Sequence, residues 1–494
     1  MPELTTAASR GPVPASPSPE AGPVPASPSP AAHGRELAVL LSAQAMAAMA
    51  DAVVTVSAPA IRGSLHPSGA QLELIASGFV LAYAAVLMTG ARLGDYGHRR
   101  MFVAGLGIFT VAAAVSGSAP NPWALIAAQV LQGTGAALMV PQVLSLIQLR
   151  FTGLARSRAL ALYSMVLAAG VAAGQLLGGL LVTANLFGLT WRSMFLIQVP
   201  AGAVILVAAR LTLPATRAEA RRPVDVTGAL LLSAAMVATI VPLTFGNSRH
   251  WPAWTLITLA AGIIGLGAFT WLQRVAAARG GHPLVDTAAL APAGVKSGLA
   301  VVFLVMGGYG ALLFTLALHL QEGYGYTPLA SGLTFATYAV GFAAANLTWS
   351  RLPQRFHRVV PLSGLIILGA AEAVLGITVR TGWAYPVAGP LLLAAGAGHG
   401  AGFGALVPQL TARTRSACIP TISGLITTVT QLAIVAGIAS LGGLYQATAH
   451  PSHPATFGHA LSSVTLILAL SSAGAAVLAL PLTSSRRQHD SVDE

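Results

Sequence analysis

Charged side chains are scarce in this 494-residue chain, in which 8% of residues are charged and 55% are hydrophobic. Each one inside an apolar run is therefore a candidate for chemistry. Asp51, in Met49-Ala-Asp51-Ala-Val-Val-Thr-Val-Ser-Ala-Pro59, lies about 21 Å from the start of its run if that run is helical, at about 1.5 Å per residue. An ionisable group at that depth in a bilayer costs at least about 2.5 kcal/mol to insert, so it needs a use. That use is either to take up a proton or substrate, or to pack a helix through a hydrogen bond in its protonated form. His399 is a side chain that titrates near neutral pH, and it reads as a proton carrier or as a packed, neutral histidine. Glu372 also sits mid-run and is either functional or hydrogen-bonded to a neighbour. Glu73 and His319 lie near run ends, where Glu73 can reach headgroup water and His319 is a weaker cavity candidate. The densest charge cluster is Gly90-Ala-Arg92-Leu-Gly-Asp95-Tyr-Gly97-His-Arg99-Arg100, a short connection between two apolar runs. Such a knot must sit at a membrane surface.

These residues need elements to hold them. Fourteen apolar segments follow one another at about 37–61, 71–92, 101–119, 122–149, 159–184, 191–213, 225–246, 253–275, 297–320, 329–351, 359–380, 384–412, 419–447 and 457–480. Each is long enough to cross a hydrocarbon core of about 30 Å as a helix and too long for a barrel strand. Only Asn247 to Pro252 separate segments seven and eight. The expected fold is an all-α integral membrane protein with fourteen transmembrane helices. Residues 1–34, with Gly11-Pro-Val-Pro-Ala-Ser-Pro-Ser-Pro19 repeated at 22–30, have no means of forming a core and predict a disordered cytoplasmic tail. Residues 483–494 form a second tail.

Charge supports the count. With the N-terminus inside, only Arg62, Arg192, Arg249 and Arg380 of the 26 basic residues fall on the outer side. Arg150, Arg156, Arg158, Arg217, Arg221, Arg222, Arg351, Arg355, Arg358, Arg413 and Arg415 are among those that stay inside, as the insertion rule for positive charge expects. Both termini are thus predicted to be cytoplasmic. The scattered basic residues form no coherent patch, so no nucleic-acid partner is expected. Lys296 is the single lysine, a bias toward arginine that points to a GC-rich bacterial genome. Cys418 is the single cysteine, which excludes internal disulfides and multi-cysteine metal sites. No cleavable leader is visible before residue 37. With no phosphate-binding loop, nucleophile motif or dense intramembrane arginine helix, ATP-driven transport, a membrane enzyme and a voltage-gated channel are disfavoured.

An internal repeat organises the helices. Gly133-Thr-Gly135-Ala-Ala-Leu-Met-Val140-Pro141-Gln142 in the fourth recurs as Gly400-Ala-Gly402-Phe-Gly-Ala-Leu-Val407-Pro408-Gln409 in the twelfth, and Leu177-Gly-Gly-Leu180 in the fifth as Leu441-Gly-Gly-Leu444 in the thirteenth. A shift of eight helices implies two pseudo-repeated six-helix bundles, at 35–213 and 297–482, with two inserted central helices at 214–296. An even shift keeps orientation, so the repeats are parallel about an axis along the membrane normal.

The chain resembles the major facilitator superfamily, specifically its fourteen-helix drug/proton antiporter branch, over about 37–482. The residues that carry the resemblance are the Gly90–Arg100 loop, the Asp51 signature ending at Pro59, Gln129-Val-Leu-Gln132-Gly-Thr-Gly135, Gly170-Val-Ala-Ala-Gly174-Gln175-Leu-Leu-Gly178-Gly179, Trp191-Arg192 through Pro200, and Gln321 to Pro328. The resemblance implies a cytoplasmic latch made by Arg92, Asp95, Gly97, Arg99 and Arg100, with Asp95 facing a helix N-terminus across the half interface. It implies close helix packing at Gly174, Gln175, Gly178 and Gly179, and a cavity lined by helices one, four, nine and twelve. The chain departs from the pattern in four places. Gln129 stands where the family commonly has a proton-coupling Arg, Gln175 replaces a Pro, only Tyr96 separates Asp95 from Gly97, and the first-helix motif is a residue short.

The implied function is export of amphipathic drugs or secondary metabolites across a bacterial inner membrane by alternating access. The proton gradient would be the energy source, and no cofactor is implied. Asp51 and His399 are the candidate proton pair, while Gln129, Gln132, Gln142 and Thr55 are candidate polar contacts for substrate. Two alternatives stand: a transporter dedicated to one metabolite (a self-resistance exporter or a symporter), and a non-transporting sensor on a transporter scaffold. Substrate identity and oligomeric state are left open.

Overall fold

A computed structural model describes residues 30–214, 225–246, 251–279, 281, 283–284, 287–414, 419–450 and 455–483. The N-terminal tail through residue 29, most of the tail after 482, Cys418, Arg217, Arg221, Arg222, Arg249 and Arg415 lie outside these. The side chains of Asp51 and Asp95 do as well.

Among the described residues fourteen helices are long and apolar enough to cross a membrane. They are α1 His33–Leu65, α2 Gly69–Leu93, α3 His98–Gly117, α4 Pro122–Arg150, α5 Leu154–Ala184, α6 Arg192–Thr212, α7 Thr227–Gly246, α8 Ala253–Ala278, α9 Val295–Gly323, α10 Pro328–Arg351, α11 Val360–Thr378, α12 Tyr385–Ala412, α13 Ile422–Thr448 and α14 Ala455–Leu482. The expected count of fourteen holds, and segments seven and eight are separate helices. Local chemistry sets several boundaries. Ser68 and Gln71 form a reciprocal capping box at the start of α2. Asn121 and Thr327 cap α4 and α10, each followed by a proline that needs no amide partner. Gly97, at φ 127°, makes the turn into α3 that an L side chain would strain against. Two helices depart from α geometry: α9 ends in a π-helical turn at His319–Gly323, and α13 carries another at Ile438–Gly442.

Packing repeats with the shift of eight that the sequence predicts. α1 packs on α5, α4 on both α2 and α3, and α3 on α6. The same relations recur as α9 on α13, α12 on α10 and α11, and α11 on α14. The repeated motif explains the match. A Cβ at Gly133 would collide with the Phe79 carbonyl oxygen of α2, and one at Gly400 with the Phe342 carbonyl oxygen of α10. A Cβ at Gly135 would stand 2.6 Å from the Phe109 amide of α3. At the motif's end, Gln142 Nε2 donates to the Gly90 carbonyl at 2.8 Å, and Gln409 Nε2 donates to the His357 carbonyl at 2.9 Å. In each half, then, one glycine lets the fourth helix touch the second, and one glutamine ties it to the end of the second helix or to the connection that follows.

The halves meet along two seams, α2 with α13 and α5 with α10, which the pseudo-symmetry exchanges. Leu329 N donates to Thr183 Oγ1 at 3.0 Å, and a Cβ at Gly179 would lie 2.6 Å from the Pro328 carbonyl oxygen. The inserted α7 and α8 pack on each other, and α7 leans on α2 and α13. Ser233 Oγ donates to the Ala85 carbonyl at 3.0 Å, and Asp225 bridges the pair by accepting from Gly228 N and Gln273 Nε2, both at 2.7 Å.

Candidate functional site

Each half carries its own buried polar centre, and the two differ in chemistry. In the first, Gln129 Nε2 donates to Ser116 Oγ and Gln132 Oε1, both at 3.3 Å, and Gln132 Nε2 donates to Gln198 Oε1 at 2.9 Å. All three glutamines are buried between α3, α4 and α6. Gln129 is thus part of a neutral spine, built from amides and a hydroxyl that satisfy one another. Expected as substrate contacts, Gln129 and Gln132 are engaged by the protein's own side chains.

In the second half His399, which aligns with Gln132, is buried on α12. Its Nδ1 is 2.7 Å from the Tyr338 hydroxyl of α10, and Nε2 is buried without a partner. The rings of Tyr309, Phe342 and Phe403 surround it, with Phe342 nearest at 4.9 Å between centroids. Glu372 Oε2 accepts a hydrogen bond from Ser472 Oγ at 2.8 Å, joining α11 to α14 as the plainer of its two readings expects.

Asp51 lies on α1, which touches helices of both halves, among them α2, α4, α5 and α9. Gly174 and Gly178 bring α5 against this stretch, since a Cβ at Gly174 would stand 2.7 Å from the Met49 carbonyl oxygen and one at Gly178 2.8 Å from Val53 Cγ2. Gly179 faces α10 instead. The fifth-helix motif therefore packs α1 on one face and the opposing half on the other. Gln175 is buried with both side-chain polar atoms unpartnered.

The loop between α2 and α3 holds the arginines expected in the latch, and the side chain of Asp95 lies outside the described residues. Arg92 Nη2 donates to the Pro283 carbonyl at 3.3 Å, in the connection between α8 and α9, and Arg99 Nη2 donates to the Arg210 carbonyl at 2.7 Å, at the end of α6. Arg100 is exposed. The connection that follows the inserted pair brings a carbonyl to Arg92, and α6 ends beside Arg99, so each of these arginines holds a backbone carbonyl group. Gln142, expected as a cavity group, belongs here too: its Oε1 is 2.7 Å from His98 Nδ1 while its amide holds Gly90. Gln142→Leu removes both bonds and leaves a buried carbonyl unsatisfied, an expected loss of about 1–3 kcal/mol. A matching fall in the detergent unfolding midpoint, with the protein still inserted, would confirm it.

Sequence reasoning missed a cluster at the opposite end of the bundle, the face away from the start of α1. Arg62 Nη1 donates to Glu322 Oε2 at 2.5 Å, Arg62 Nη2 donates to Gln446 Oε1, and Gln446 Nε2 donates to Glu73 Oε1 at 2.7 Å. Gln321 Nε2 donates to the Val56 carbonyl at 2.9 Å. Glu73 is 2% exposed, so it does not reach headgroup water as the sequence had suggested. His319 is likewise buried, ringed by Tyr324, Trp383 and Tyr445 rather than facing a cavity. Arg62 and Glu322 are 260 positions apart, and no local pattern announces their pairing. On the α1-start face the described ion pair, Arg150 with Glu36, stays within the first half.

Two pseudo-repeated helical halves, tied across one face and enclosing polar centres in an apolar shell, have the architecture of a multi-pass membrane transporter. The chain belongs to the Major Facilitator Superfamily, whose family model matches residues 40–438. It is 35% identical over 417 residues to the probable actinorhodin transporter of Streptomyces coelicolor, covering 83% of this chain and 72% of that one. It is 29% identical to the methylenomycin A resistance protein of the same organism, covering 85% and 88%. The tetracenomycin C resistance and export protein of Streptomyces glaucescens is 33% identical, covering 71% and 60%. Among solved structures, a bacterial homolog of the human lysosomal transporter Spinster, inward-facing and unoccupied, superposes with a TM-score of 0.64 at 17% identity, covering 92% of this chain and 98% of that one. The protein is a multi-pass membrane transporter, not an enzyme, related to bacterial antibiotic and drug exporters.

Proposed function

We propose that the chain is a proton-driven exporter of amphipathic drugs or secondary metabolites. The observation that carries this reading is the cross-half ties at the face away from the start of α1: Arg62 to Glu322 and Gln446, Gln321 to Val56, and Leu329 to Thr183. Ties of this kind close one face while leaving the halves to part at the other, as alternating access requires. The arginine-rich face is taken as cytoplasmic by the positive-inside rule, which places both termini inside a bacterial inner membrane and makes this conformation closed to the outside.

The residue roles follow from placement. Asp51, on the helix that touches both halves, is assigned as the main proton carrier, and His399 as its partner in the second half. Gln129 and Gln132 stiffen the first half. Arg92, Asp95, Gly97, Arg99 and Arg100, with Gln142, form the cytoplasmic latch, and Gly174, Gln175, Gly178 and Gly179 form the packing seam. The bundles are assigned to 35–213 and 297–482, with the inserted pair in 214–296. Small amphipathic substrate, protons and lipid are the partners.

Ethidium or antibiotic efflux from cells carrying the protein is expected to collapse on adding a protonophore. His399→Gln is expected to reduce proton-dependent efflux several-fold at normal expression; unchanged coupling would remove His399 from the pathway. The names of the three relatives given above each refer to one compound, which favours a second reading: the chain exports a single metabolite for self-resistance. A susceptibility panel separates the two, since protection confined to one chemical family supports the narrow exporter.

A further inference from the structure

Four side chains from four helices meet where the halves close on the face away from the start of α1. Arg62 comes from α1 and Glu73 from α2, while Glu322 comes from the π-turn of α9 and Gln446 from the turn that follows the π-turn of α13. Arg62 is committed to Glu322 and to the Gln446 carbonyl oxygen, and the Gln446 amide holds Glu73 Oε1. Glu73 Oε2 and Glu322 Oε1 are buried without partners. Two carboxylates thus share one guanidinium, and the carboxylate without direct contact to it is the more deeply buried. Arg62 and Glu322 are half-buried, so the surplus negative charge falls on Glu73, 2% exposed, whose Oε2 is buried without a partner or solvent.

We propose that this cluster is a proton-binding site, and that the face closes only when one proton joins its two carboxylates, with Glu73 carrying it. When α1 and α2 part from α9 and α13, Glu73 meets water on that side. It takes a proton from that water on Oε2, becoming a neutral carboxyl, and no other bond changes. The face then closes over one cation and one anion. The proposal rests on the alternating-access reading and adds a group that senses the outer solution. Acid outside drives the transporter back to its inward-open form, ready to load the next substrate.

The other titratable groups around the cluster come from every side. Tyr445 on α13 has a buried, unpartnered hydroxyl, with Tyr324 and His319 of the α9 end beside it. His66 and His450 are exposed on nearby connections. Arg249, His250 and His453 belong to connections outside the described residues. α4 and α7, which also pack on α2, bring no charged residue to this end.

The test uses the full chain in liposomes with Cys418→Ser and spin labels at Phe187→Cys and Thr381→Cys, exposed positions on the two halves at this face. Pulsed electron paramagnetic resonance reads the closed and open populations. Lowering the pH from 8 to 5.5 is expected to raise the closed-to-open ratio at least tenfold. Glu73→Gln and Glu322→Gln each remove the surplus charge, so each is expected to be closed at pH 8 and to lose the response. The double variant leaves Arg62 without a carboxylate and is expected to open at both pH values. A Glu73→Gln protein that keeps the wild-type response overturns the proposal, as does a closed population set by sodium at fixed pH. If Glu73→Gln fails to insert, Glu322→Gln decides alone, because it tests the same charge count. Distances that respond to substrate but not to pH overturn the proton site and leave the transport reading standing. Distances that respond to neither overturn alternating access itself.

Discussion

Asp51→Asn is expected to abolish uphill export while sparing downhill exchange. Asp51 sits on α1, and α1 contacts helices of both halves. A charge change there acts on the balance between the two conformations and not on one half alone. The thermodynamic loss is large: one elementary charge moved across 100 mV supplies about 2.3 kcal/mol. At about 1.4 kcal/mol per factor of ten, each uncoupled proton therefore removes roughly a 50-fold substrate gradient. Inhibitory concentrations of the exported compound should fall to those of cells lacking the transporter, and vesicles should retain counterflow without accumulation. Full accumulation by the Asn variant would show that the proton travels elsewhere, with the His399 and Glu372 region as the next place to look.

The second large effect is expected at the repeated glycines. Gly133→Val or Gly400→Val places a side chain where the opposing backbone carbonyl already stands, at Phe79 in the first half and Phe342 in the second. Backbone cannot rotate away as a side-chain tip can, so the helix pair must separate along its length. Overpacking in a well-packed core costs typically about 1–3 kcal/mol and occasionally more, and a clash against main chain belongs at the upper end. Neither variant is expected to give a monodisperse peak in detergent, whereas Gly107→Ala, where a Cβ meets nothing within 4 Å, should behave as wild type. A folded, active Gly133→Val protein would mean that the α2–α4 contact is looser than described.

Much of the architecture was legible in the chain because apolar runs and their breaks are local. The fourteen segments, the Trp191-Arg192 start of α6 and the repeat all depend on residues that are near neighbours or match at a fixed offset. The repeat even exposed its own reason, since the glycines and the glutamine recur with their structural partners. The sites were less legible. Gln142 looked like a polar lining group, yet it holds the α2–α3 connection, because its direction depends on where Gly90 and His98 come to rest. Glu73 looked like a surface residue because its run ends nearby, yet helices distant in sequence bury it, and Gln446 of α13 bonds it. The π-turns that position Glu322 and Gln446 each depend on one residue beyond the α-helical repeat, which composition does not reveal.

The inserted pair makes the two seams unequal neighbours of the bilayer. Along α2 and α13, α7 stands against the junction, so acyl chains meet the insert first. Along α5 and α10 the side chains of Leu177, Leu180 and Leu333 are exposed, and lipid can lie directly against the line where the halves join. A molecule dissolved in the membrane therefore meets a left-right asymmetric object: on one flank α7 covers the junction, and on the other the junction is bordered by exposed leucines. The two flanks thus offer the bilayer unlike surfaces, although the halves they join are related by the repeat.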